Sequence, residues 1–102
     1  MAHKYGAVAT VVDGHKFPSK KEANRYGELK LLQQAGKIQR LHLQPKFELT
    51  VNGIIIGKYI ADFDYWENGV WVVEDAKGFK TPLYKWKRKH CEAEHGIKIV
   101  EV

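Results

Sequence analysis

Three features of this chain predict an α/β fold with a central mixed sheet flanked by helices. Its elements run helix, three strands, helix, strand; its strand segments are rich in β-branched and aromatic residues; and its last strand is reached across a helix. A crossover of that kind lays the final strand beside an earlier one. With 102 residues, of which 44% are hydrophobic and 12% aromatic, residues 1–102 are expected to form one domain around one modest core.

The first seventeen residues are weakly patterned. A short strand over Ala7 to Val12 ends at the turn signal Asp13-Gly14, and residues 1–17 read as a mobile or edge segment. Ser19 then serves as an N-cap with Glu22 three residues on, and Gly36 stops the pattern, so a helix spans Ser19 to Ala35. The segment "KIQRLHLQPKFELTV" alternates partially and is interrupted by Pro45, and Asn52-Gly53 turns the chain. Next, "IIIGKYIADFDYW" and "VWVVEDAKG" read as two strands of one hairpin around Asn68-Gly69. A second helix starts at the Thr81 cap with Pro82 at its first position and ends at Gly96, and "IKIVEV" closes the chain as a strand. On that helix Leu83, Trp86, His90 and Ala93 are expected to face inward. Lys85, Arg88, Lys89 and Glu92 are expected to face out, and Lys87 lies in the apolar arc as a snorkelling lysine.

Charge narrows the partner. Seventeen Lys and Arg against 12 Asp and Glu give +5 and a pI near 9.3, which suits a polyanion, nucleic acid first. The single Cys91 excludes an internal disulfide and reads as a small buried side chain. No apolar run has the length of a membrane span or the setting of a signal peptide, so no membrane partner and a cytoplasmic location are expected. The histidines lack zinc-ligand spacing, and no glycine-rich phosphate loop is present.

The hairpin carries the chemistry. A two-residue Asn-Gly loop pairs Glu67 with Val70 and Trp66 with Trp71, which brings Asp62 opposite Asp75. Like charges at directly opposed positions, with Cβ atoms about 5 Å apart, are destabilising. Alternation puts Lys77 on the face of Asp75 and sends Glu74 to the other face, opposite Phe63. Three readings offset the repulsion: a solvated face, a simple pairing of Lys77 with Asp75, or a hard divalent cation such as Mg²⁺ shared by the two carboxylates.

Asp62, then Asp75-Ala76-Lys77 on the next strand, after a helix bearing Glu22, resembles the PD-(D/E)XK nuclease superfamily, whose restriction-endonuclease-like core is helix, three strands, helix, strand. More narrowly, "SKKEANRYGELKLLQQAGKI", "LQPKFEL", "ADFDYWENGVWVVEDAKG" and "YKWKRK" resemble short proteins encoded by phages and prophages of bacterial hosts. Asp62 follows Ala61 where the motif name has proline. The resemblance implies a metal-dependent DNA endonuclease that hydrolyses phosphodiester bonds. Asp62, Asp75 and the Ala76 carbonyl would hold Mg²⁺, with Mn²⁺ as a substitute, and Lys77 would orient water or neutralise developing charge.

Glu22 lies in the apolar arc between Tyr26 and Leu29, and it is either a cap alone or a cap that also supports the site. Lys80, Lys85, Lys87, Arg88 and Lys89 are candidate DNA-backbone contacts, and Lys87 and Gln44 are second candidates for the site itself. A chain this small leaves no room for a sequence-reading domain. Recognition of DNA shape (a junction, flap or nick) is therefore expected, and a homodimer would supply paired sites. The competing class is a non-catalytic DNA-binding or recombination accessory protein of the same fold.

Overall fold

The computed structural model describes residues 9–76 and 80–102. The first element is a small hairpin of β1 (Thr10–Val12) and β2 (His15–Phe17), closed by Asp13 at φ 51° and Gly14 at φ 77°. These are the positive angles a two-residue primed turn requires. Phe17 is buried against Tyr26 and Phe63, and the Tyr26 hydroxyl donates to Asp13. Residues 10–17 are thus a hairpin docked on the first helix and separate from the central sheet, where the sequence pattern gave a mobile or edge segment. Ala7 and Val8 lie outside the described residues.

Helix α1 (Lys20–Gln34) is capped as expected: the Ser19 hydroxyl accepts from the Glu22 N–H. Its inward stripe is Glu22, Ala23, Tyr26 and Leu29, all buried. Four strands then form the central sheet in the order β3 (Gln39–Leu43), β6 (Phe63–Glu67), β7 (Val70–Asp75), β8 (Ile99–Glu101). β3, β6 and β7 are antiparallel neighbours, and β8 runs parallel to β7 after helix α2 (Pro82–His95). The sheet is mixed and the fold is α/β with two helices among the described residues, as the order of elements predicts. Thr81 caps α2, and Gly96, at φ 65°, ends it.

Two long strands of the sequence reading are each broken in two. β4 (Lys46–Val51) pairs with β5 (Ile54–Ile60) in its own two-stranded ribbon, separate from β3 and β6. The cause is local. Gln44 adopts φ 50°, Pro45 has no N–H to give to a ladder, and across from them Ala61-Asp62 leave the strand conformation. The backbone stays tied through the bend, with Gln44 N–H donating to the Asp62 carbonyl at 2.8 Å and Ala61 N–H to that of Pro45 at 3.1 Å. The ribbon's Phe47, Leu49 and Tyr59, with Ala61 just past it, pack with Val73, Ile99, Tyr84 and Cys91. A second cluster on the other face of the sheet joins Phe63 and Tyr65 to α1.

The inward face of α2 differs from the expected stripe. Leu83 and Trp86 are exposed, at 61% and 51%, and Ala93 is exposed too. Tyr84 and Cys91, seven residues apart, are buried instead, with Arg88 half-buried between them. Cys91 is fully buried, as the sequence suggests, and burial pushes its thiol up to about 11. No helix among the described residues is long and apolar enough to cross a membrane.

Candidate active site at the carboxyl end of the central strands

The register of β6 and β7 runs from Glu67 opposite Val70 to Phe63 opposite Glu74, around a loop with Asn68 at φ 52° and Gly69 at φ 75°. The ladder ends there, one rung short of the expected Asp62–Asp75 pair: at the bend the Asp62 N–H donates to the Glu74 carbonyl at 3.0 Å, which leaves Asp62 beside Asp75 but out of register with it. Both acids are buried, at 7% and 0% exposure. Each accepts a hydrogen bond: Asp62 from the Ala76 N–H, and Asp75 from the Tyr59 hydroxyl. Burial, and then that bond, raise the Tyr59 phenol well above its ordinary range, so it remains a donor.

The bend that breaks the long strands is what sets these donors. It carries Tyr59 off the central sheet in the ribbon, and it leaves Asp62 beside the last residues of β7, within reach of the Ala76 N–H.

On the opposite face, Glu74 meets Arg25. The guanidinium grips it through two bonds, Nε to Oε1 at 2.8 Å and Nη2 to Oε2 at 2.6 Å, and the Tyr65 hydroxyl donates to Oε2. Glu74 is 1% exposed, and the pair lifts the Arg25 pKa further above its ordinary value, chiefly through the hydrogen bond. Sequence reasoning missed Arg25. The signal was there: it belongs to the stripe of Glu22, Tyr26 and Leu29 at helical spacing, facing a strand whose Glu74 the register sends to the same side.

β8 adds a third acid to the row, because Glu101 is the parallel register partner of Asp75. Its carboxylate accepts from the Tyr84 hydroxyl at 2.9 Å and pairs with Arg88 at 2.6 Å and Lys80 at 3.3 Å. Burial alone would raise Glu101, but Arg88, Tyr84 and Lys80 outweigh it and hold the carboxyl below its usual value. Tyr59 and Tyr84 lie with ring centroids 6.2 Å apart, and burial, then the Glu101 bond, push the Tyr84 phenol up to about 12.

Of the expected DNA contacts, Lys80, Lys85, Arg88 and Lys89 share a cleft with Glu101. Arg88 does not face outward. It turns inward to Glu101 and Glu92, because the Tyr84–Cys91 stripe, and not Leu83–Trp86, faces the core. Lys85 and Lys89 are exposed and Lys87 is half-buried. Glu22 is 4% exposed and directed inward, while its N–H closes the Ser19 cap. Gln44 is exposed, and its link to the site runs through its backbone N–H to Asp62.

Lys77 lies outside the described residues. Among the described residues no group of three or more His, Cys, Asp and Glu stands in metal-holding geometry. The donor set at Asp62, Asp75 and the Ala76 carbonyl is nevertheless the hard-oxygen kind that suits Mg²⁺, an ion commonly bound through one or two carboxylates with water and substrate phosphates.

The chain belongs to the family described as "Protein of unknown function (DUF1064)", which it matches over residues 2–99. No curated protein and no solved structure matches it.

Proposed function

We propose that this protein is a Mg²⁺-dependent DNA endonuclease with a restriction-endonuclease-like core of the PD-(D/E)XK kind, acting on branched, flapped or nicked DNA. The observation that carries the reading is the burial of two aspartates, Asp62 and Asp75, at the end of β7, with Asp62 bonded to the Glu74 carbonyl and the Ala76 N–H on either side of Asp75. Two carboxylates there repel one another, and a fold that only needed packing would have apolar residues in their place.

Asp62, Asp75 and the Ala76 carbonyl would hold the cation, which when bound supplies charge against the phosphate and acidifies a water. Tyr59 and the Ala76 N–H fix the orientation of the two carboxylates by donating to them. Lys77, two residues beyond Asp75, orients the attacking water or offsets charge building on the phosphate. Glu22, buried on the inner stripe of α1, supports the site as well as the helix cap. Lys85 and Lys89 give exposed positive charge for the DNA backbone, with Lys80, Lys87 and Arg88 beside them. Mn²⁺ substitutes for Mg²⁺, and a homodimer would bring two sites to a symmetric junction. A phage or prophage origin fits the sequence resemblance.

Cleavage of linear, flapped and four-way DNA in Mg²⁺, Mn²⁺ or Ca²⁺ tests the reading. Wild type should cut at least one substrate with Mg²⁺ or Mn²⁺, and Asp75→Ala and Lys77→Ala should not. Retained DNA binding with no cutting in any metal would replace it with a non-catalytic binding or recombination accessory role.

A further inference from the structure

The α2 side is not the only basic cleft among the described residues that reaches the end of β7 and β8. A cleft runs between the first half of α1 and the ends of β7 and β8, with Lys20, Lys21, Asn24, Arg25 and Glu28 along α1 and Ala76 across from them. We infer that this cleft is a second DNA-backbone surface, with Lys20 and Lys21 contacting phosphates beside the cut site. For its substrate class the inference rests on the nuclease reading.

Three observations support it. First, Lys20 and Lys21 are exposed and form no ion pair among the described residues, whereas Arg25, Lys80 and Arg88 are each tied to a carboxylate. Second, both lysines occupy the first turn of α1, where the field of the helix itself disfavours cations. Their charge therefore costs the helix something, and no ion pair among the described residues offsets it. Third, the one acidic side chain lining the cleft, Glu28, lies against Arg25, which leaves Lys20 and Lys21 as the cleft's uncompensated cations among the described residues.

Position then assigns the role. Ala76 borders the cleft and directly follows Asp75. Val102 borders it too, while its neighbour Glu101 borders the α2 cleft, so the end of β8 separates two basic clefts. A backbone lying across the carboxyl ends of β7 and β8 would meet cations on both sides of the aspartate row. Phosphate contacts of this kind position DNA without reading its sequence.

The test is equilibrium binding of fluorescein-labelled duplex and four-way DNA, by anisotropy in Ca²⁺, across a salt series. Lys20→Ala/Lys21→Ala should reduce the slope of log affinity against log salt by about 2. Its thermal stability should be unchanged or higher. Lys37→Ala/Lys58→Ala removes two exposed lysines elsewhere and should keep the wild-type slope. An unchanged slope in the first variant, or no DNA binding by wild type, overturns the inference. If the slope falls but wild type cuts nothing in any metal, the cleft stands and the nuclease reading fails. If cutting depends on Asp75 while the slope is unchanged, the cleft alone fails.

Discussion

Glu74 and Asp75 are neighbours on β7 and both are buried, yet the chain surrounds them differently. Glu74 sits in a closed arrangement, gripped twice by Arg25 and once by Tyr65, which meets most of what a buried carboxylate requires. Asp75 faces the other way, accepts from a neutral phenol, and stands in a row with Asp62 and Glu101. One acid is neutralised by a cation of its own fold. The other shares its end of the sheet with Asp62 and Glu101, an arrangement that gains a purpose if a cation or a phosphate takes part.

The contrast can be broken from either side. Arg25→Met should have the largest effect on folding, about 3–5 kcal/mol by denaturant titration, because it strands a buried carboxylate. Arg25→Met/Glu74→Leu should recover most of that loss, and a double variant no more stable than Arg25→Met would show that the pair is not the cause. Asp75→Asn should do the reverse: cutting falls by at least about 100-fold, some 2.7 kcal/mol of barrier, while stability holds within about 1 kcal/mol or rises. A stability loss as large as that of Arg25→Met would make Asp75 a structural acid like its neighbour.

Tyr59→Phe is intermediate, since it removes one buried donor to Asp75 at about 1–3 kcal/mol and should lower cutting without abolishing it. The smallest effect is alkaline. Tyr84 has its pKa raised from 10 to about 12 in the fold, chiefly by burial, so its stabilising contribution is complete below pH 10 and is lost as pH rises towards 12. Melting temperatures across that window should fall less steeply for Tyr84→Phe than for wild type.

Much of this was readable from residues with short-range causes. Ser19 with Glu22, Thr81 with Pro82, and Asn68-Gly69 dictate caps and register locally, and the last of these sets the pairing from Glu67–Val70 to Phe63–Glu74, one rung short of the expected Asp62–Asp75 pair. What escaped depends on partners far along the chain. The bend at Gln44-Pro45 needs its counterpart at Ala61-Asp62 before it splits a strand pair, and alternation of apolar residues is blind to it. The face of α2 is set by Tyr84 reaching Glu101 and Cys91 reaching the core, so counting apolar side chains favoured Leu83 and Trp86 instead. Arg25 reads as a surface cation until Glu74 is placed opposite it, 49 residues away.

Calorimetric titration of Mg²⁺ into wild type, Asp75→Asn and Asp64→Asn tests the central claim most directly. Asp64, on β6 two residues after Asp62, is bonded to His42 and Trp71, which makes it a control. Binding should be present in wild type and Asp64→Asn and absent in Asp75→Asn. Equal binding in all three, or none in wild type, would contradict a cation site at Asp62 and Asp75.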